Sequence, residues 1–148
     1  MSARTRLAYL VSHPIQYQAP LLRAIAADPE IDLKVFFCSA VSMRAYRDDG
    51  FQRVIEWDVD LLDGYDSGFL PAAFDSGVPG IWCPLNWGLA GELRRGGFDV
   101  LWVHGHMRLY HLISMVLARL HGVRVLNRDE AWARSSARGP VKRTLKRT

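Results

Sequence analysis

The sequence predicts an α/β fold, a parallel sheet with helices on both faces. Short, almost wholly apolar runs recur along the chain: Leu7 to Ser12 (LAYLVS), Leu33 to Cys38 (LKVFFC), Val100 to Val103 (VLWV) and Val123 to Leu126 (VRVL). Such runs suit strands buried on both sides. Segments with helical spacing alternate with them, which is the pattern of a parallel sheet with crossover helices. With 148 residues, 49% of them hydrophobic and 16 of them Phe, Trp or Tyr, the chain has material for one domain with a sizeable core.

Each element has its own justification. After the first strand, His13-Pro14 interrupts the apolar run, and Pro20 to Ala27 puts Leu21, Leu22 and Ile25 on one helical face before Asp28-Pro29 closes it. The second strand then completes a βαβ unit of about 30 residues, the usual size. Val54 to Leu62 alternates well enough for a strand. Around it lies an irregular excursion: between Val54 and Glu92 there are seven acids and no basic residue, punctuated by Gly and Pro. Loops of that length in a compact domain are usually functional or partly ordered around a partner. Asn86 is a good N-cap for a helix containing Leu89, Ala90 and Leu93 that stops at Gly96-Gly97. The clearest periodicity is Leu109, Leu112, Ile113, Val116, Leu117 and Leu120, which predicts a helix with an apolar face toward the core, ended by Gly122. Trp82 and Trp87, beside Gly and Pro, suit either an exposed surface or the core.

Charge divides the chain unequally. Residues 134–148 carry six basic side chains (Arg134, Arg138, Lys142, Arg143, Lys146, Arg147) and no acid, so residues 1–133 hold 13 basic and 15 acidic groups, a net of −2. We therefore expect a folded domain over 1–133 followed by a basic segment over 134–148. A basic tail on a mildly acidic body argues against a nucleic-acid-binding face. The tail allows contact with an anionic membrane surface, although only Val141 and Leu145 offer apolar anchoring; a solvated connector is the simpler expectation. No apolar run approaches a membrane span or a signal peptide, so a cytoplasmic protein is expected, at most peripheral to the inner face of the membrane. Cys38 and Cys83 match no paired metal-ligand spacing and suit small buried hydrophobes.

In open α/β sheets, ligands bind outside the carboxyl ends of the strands, where the winding reverses. That rule selects HPIQYQ (His13 to Gln18), HGHMR (His104 to Arg108) and NRDEA (Asn127 to Ala131). The first lacks the G-x-G-x-x-G of a dinucleotide site. His13, Gln16 and Gln18 are donors and acceptors suited to sugar hydroxyls, with Tyr17 available for stacking, or else they satisfy backbone groups at a tight turn. His104 and His106 flank Gly105, where the backbone can approach a ligand closely; one of them could equally donate to a loop carbonyl. His-x-His without a nearby Cys or acid is a weak metal signal, and no metal or other cofactor is expected. His111 and His121 suit partly buried or surface positions. Arg128 can hold a phosphate or carboxylate in its planar fork. Asp129 or Glu130 can accept from a hydroxyl or act as a base. An internal Arg-carboxylate pair would use the same residues. No Walker loop, nucleophile elbow or carboxylate pair of glycosidase spacing is present.

Four stretches in matching order, L-A-Y-L-V-S-H-P-I-Q-Y-Q-A-P-L-L (Leu7 to Leu22), W-D-V-D-L-L-D-G-Y-D-S-G-F-L (Trp57 to Leu70), D-V-L-W-V-H-G-H (Asp99 to His106) and R-G-P-V-K-R-T-L-K-R (Arg138 to Arg147), resemble the amino-terminal half of family 4-like, GT-B fold glycosyltransferases. The resemblance implies a Rossmann-like α/β/α sandwich forming one half of a GT-B architecture. It also implies an acceptor-binding role beside a C-terminal nucleotide-sugar-binding domain, and retaining transfer that generally needs no metal. The acceptor would be a glycan, a lipid or a small molecule. This chain has His13-Pro14 where many relatives carry Gly-Gly, and Asp129-Glu130 after Arg128 where relatives carry Gly and one acid. The 148 residues hold no second domain with the E-x7-E-type signature, so alone the chain would be half an enzyme. The alternative from another class is a stand-alone α/β binding or regulatory module of flavodoxin or receiver type, for which Ser12-His13 stands where a receiver wants an acidic pair.

Overall fold

A computed structural model describes residues 4–43, 46–48, 53–55, 60–74, 85–105 and 108–128. In chain order the elements are β1 (Thr5–Val11), α1 (Ala19–Ala26), β2 (Ile31–Phe37), β3 (Tyr46–Asp48), β4 (Arg53–Ile55), β5 (Asp66–Phe69), β6 (Ala72–Phe74), β7 (Leu85–Asn86), α2 (Leu89–Gly96), β8 (Val100–His104), α3 (Leu109–Leu120) and β9 (Arg124–Arg128). Five strands form one all-parallel sheet in the order β5-β2-β1-β8-β9. Counting only those strands along the chain, the order is 3-2-1-4-5, the doubly wound Rossmann-like arrangement. The winding reverses between β1 and β8, which are neighbours in register from Leu7↔Val100 to Leu10↔Val103.

The core explains why the apolar runs are continuous. Leu7, Tyr9 and Val11 of β1, with Leu33, Val35 and Phe37 of β2, pack on the α1 side with Leu22. Ala8, Leu10, Phe36, Leu101 and Val103 pack on the other side with Leu89, Leu93, Tyr110 and Ala118 of α2 and α3. Successive side chains point to opposite faces, so a strand covered on both sides has no polar position to spare. Burying each of these large apolar side chains contributes roughly 1.5–3 kcal/mol. Asp99 fixes the amino ends of the central strands: its carboxylate accepts from the Arg6 N–H (2.8 Å), and its carbonyl from the Arg124 N–H (3.0 Å).

Three expectations are corrected. The strand expected over Val54 to Leu62 does not reach Leu62, since Asp60 to Tyr65 forms a turn. There the Asp60 carboxylate takes the N–H groups of Leu62 (2.9 Å) and Asp63 (3.2 Å), a side-chain competition that ends regular structure. Arg23 of α1 donates to the carbonyls of Asp60 (2.6 Å) and Asp63 (2.9 Å), so this part of the acidic excursion is tied to the first helix. The sheet strand from this region is instead β5, whose DSGF sequence carries no apolar alternation but pairs with β2. Asn86 does not cap α2; Gly88, at φ +88°, occupies that position, and the Asn86 amide clamps other strand ends, as described below.

The third correction concerns α3, whose bounds match the periodicity but whose face does not. Tyr110, His111, Ser114 and Ala118 are buried, whereas Leu112, Ile113, Val116 and Leu120 are exposed, Leu120 at 76%. The inward side is lined by small residues and by the Tyr110–His111 pair, which lets the helix lie close on β8 and β9. Among the helices of the described residues, none is long and apolar enough to cross a membrane. The basic segment over 134–148, with its proposed membrane contact, lies outside the described residues, as do Cys83 and Trp82. Cys38 is buried, and Trp87 is exposed.

Candidate functional site

The carboxyl ends of β1, β8 and β9 lie side by side, since β8 sits between the other two. Neighbouring strands are about 4.8 Å apart, so the turns that leave them share one edge. His13 follows β1 by two residues, His104 is the last residue of β8, and Arg128 is the last of β9, paired in register with His104. The Gly105 N–H donates to the Arg128 carbonyl (2.8 Å), joining the second and third turns by backbone. His106, Asp129 and Glu130 lie outside the described residues.

Each histidine is held at Nδ1. Ser12 Oγ lies 2.9 Å from His13 Nδ1, and the Tyr9 hydroxyl lies 3.3 Å from His104 Nδ1. When those hydroxyls donate, the ring protons sit on Nε2, and each imidazole has an N–H donor on its far side. Tyr9 is itself immobilised, buried with its ring 5.3 Å from that of Trp102. Both histidines are half-buried and Arg128 is exposed, so the edge carries two imidazoles and a guanidinium. Among the described residues, no group of three or more His, Cys, Asp or Glu could hold a metal ion.

The turn after β1 divides its polar residues. Gln16 and Tyr17 are exposed, while Gln18 is buried and its amide has no hydrogen-bond partner among the described residues. The Gln18 N–H donates to the Ile15 carbonyl (3.0 Å), which folds the turn back toward α1. Ser42 Oγ donates to the Pro14 carbonyl (2.6 Å), so this interrupted segment is braced from the loop after β2. Gln16 therefore stands at the edge with His13, and Gln18 does not stand open beside it.

Gly105 has a different role from the close approach to a ligand that its position suggested. At φ +99°, a Cβ placed on it would fall 2.8 Å from His111 Cε1. What approaches this backbone is the imidazole of His111, buried in the first turn of α3. His111, expected to be partly buried or at the surface, is a wedge beneath the loop, with its ring centroid 4.1 Å from that of Tyr110; His121 is exposed.

Sequence reasoning missed two groups on the α2 and α3 side of the same edge. Asn86 Nδ2 donates to the carbonyls of Cys38 (2.7 Å) and Leu70 (3.3 Å), closing the ends of β2 and β5. Tyr110 is buried near Ser12, Cys38 and Arg108, and its phenol is pushed well above the usual tyrosine range, chiefly by burial and then by the Cys38 thiol, with Arg108 and Ser12 opposing. No sequence signal marks either, because each looks like an ordinary helix-start residue.

No protein-family model matches the chain, and no curated protein matches it.

Proposed function

We propose that this chain is the N-terminal, acceptor-side domain of a retaining glycosyltransferase that takes a sugar from a nucleoside-diphosphate sugar. The main support is the meeting of His13, His104 and Arg128 at the one sheet edge where the winding reverses, together with the resemblance of four ordered stretches to family 4-like enzymes. The His13 and His104 rings, positioned beside the Ser12 and Tyr9 hydroxyls, are of a chemistry suited to the hydroxyls of a glycan, lipid-linked or small-molecule acceptor, and Gln16 adds an exposed amide. Arg128 would meet negative charge on the donor side, with His106, Asp129 and Glu130 as further candidates. The chemistry on this side is positional. Holding the acceptor hydroxyl in line removes the entropic cost of encounter, and phosphate charge that develops on the leaving group falls to a partner nucleotide-sugar-binding domain. A flavodoxin-type module would order its strands 2-1-3-4-5, and this sheet runs 3-2-1-4-5.

The test is titration calorimetry of the 148-residue chain with UDP-, GDP- and ADP-linked sugars. The expected result is no tight binding, with affinity appearing only when a nucleotide-sugar-binding domain is present. Micromolar binding of any of these donors to this chain alone would overturn the division of labour.

A further inference from the structure

Charge is divided along residues 1–128 more sharply than its sum suggests. Residues 1–92 carry 7 basic and 12 acidic side chains, a net of −5. Residues 93–128 carry six arginines (Arg94, Arg95, Arg108, Arg119, Arg124, Arg128) and Asp99 as the one acid, a net of +5. From Val100 to Arg128, the β8-α3-β9 unit, the sequence has no acid at all. Helices α2 and α3 pack side by side, and Arg94, Arg95 and Arg119 are exposed on them, Arg95 paired with Glu92. In this cationic layer α3 also leaves aliphatic side chains uncovered: Leu112 at 52%, Val116 at 59% and Leu120 at 76%, with Ile113 beside them.

Those side chains point away from the sheet. Tyr110, His111, Ser114 and Ala118, the buried face, occupy one sector of about 100° around the helix, and Leu112, Ile113, Val116 and Leu120 occupy a sector of similar width opposite to it. They form a ridge, where docking another helix calls for a groove. A stable contact with a second protein takes roughly 20–30 residues a side, far more than this stripe supplies. A lipid surface asks for less: an interfacial helix buries one apolar stripe in the acyl boundary and sets cations among the headgroups. The ridge is aliphatic, with no ring on which a nucleobase could stack. We propose that α3 docks on an anionic lipid surface, with Leu112, Ile113, Val116 and Leu120 entering the acyl boundary and the exposed arginines of α2 and α3 meeting the headgroups. The contact is independent of the acceptor-side reading and does not require the basic segment over 134–148.

The experiment is co-flotation of the 148-residue chain with vesicles of phosphatidylcholine alone and of phosphatidylcholine and phosphatidylglycerol in equal parts. The anionic vesicles are expected to take up the chain, and the neutral ones much less of it. Val116→Ser combined with Leu120→Ser should weaken uptake about tenfold, the loss of about two buried methylene groups. Arg119→Gln should weaken it about fivefold, the loss of one cation at the headgroups. All three side chains are exposed, so the urea midpoints of these variants should stay at that of the unaltered chain. Four results overturn the inference: no uptake by either vesicle; equal uptake by both; uptake by anionic vesicles that the serine pair leaves unchanged, the mark of the basic segment acting alone; or self-association of the lipid-free chain that the serine pair abolishes, the mark of a second copy on the ridge. Micromolar nucleotide-sugar binding to the chain alone, which removes the acceptor-side reading, leaves this one standing.

Discussion

Replacing Gly105 by alanine perturbs the loop that leaves the central strand, and the structure sets the size of the effect. At φ +99°, an L side chain is strained, which costs about 1–2 kcal/mol. The new Cβ also lies 2.8 Å from His111 Cε1 and 3.4 Å from its Nε2. The imidazole cannot swing aside, because it is buried and packed on Tyr110. Overpacking of that kind adds about 1–3 kcal/mol, giving roughly 3 kcal/mol in all and a fall of about 10 °C in the thermal midpoint. The assay is urea unfolding of Gly105→Ala, His111→Ala and the double variant. The cycle isolates the steric part: the alanine at 105 should cost about 1–3 kcal/mol less when His111 has been truncated. A Gly105→Ala chain within about 0.5 kcal/mol of the parent, the range of ordinary surface changes, would refute the wedge.

Two further outcomes follow from the same packing. On α3, Val116→Lys or Leu120→Lys should change stability by no more than about 0.5 kcal/mol, since both side chains are exposed. Ala118→Leu, at a position with no exposure, should cost about 1–3 kcal/mol; urea midpoints of the three variants check the orientation of the helix, and the reverse ranking would mean that the stripe faces inward. High pH tests Tyr110 and Tyr65, whose phenols burial raises above the ordinary value of 10.0. A raised acid keeps its proton when folded and loses it more readily when unfolded, so its contribution is intact below pH 10.0 and declines above it, by up to about 1.4 kcal/mol per pH unit for each group. Urea midpoints at about pH 9 and about pH 11 should therefore fall less in Tyr110→Phe than in the unaltered chain, and equal slopes would contradict the burial of that phenol.

The class of fold was legible because it is written in composition on a short scale. A strand covered on both faces cannot alternate, so LAYLVS, LKVFFC and VLWV announce a parallel sheet whatever the rest of the chain does. Once the sheet is parallel, the rule that polar turns at the carboxyl ends make the site picks out His13, His104 and Arg128 without knowledge of strand order. Helix bounds were legible for α3, where the spacing is strong and Gly122 stops it, and less so for α2, where a good capping residue stands two positions too early.

What the sequence determined by itself, then, was which segments enter the sheet core and which turns carry polar groups, because both depend on local spacing and on desolvation of single residues. Only the tertiary structure decided which neighbours those residues meet. The four residues DSGF become a strand because β2 offers an unpaired edge. The Asn86 amide becomes a clamp because two strand ends present open carbonyls. The outward turn of the apolar stripe on α3 has the same origin, since a helix seats whichever face fits against the sheet most closely, and here that face carries Ser114 and Ala118. His111 packs beneath Gly105 within one turn, a fit that no periodic pattern announces, and the contact of Asn86 with Cys38 and Leu70 joins distant segments that only the crossovers bring to one edge.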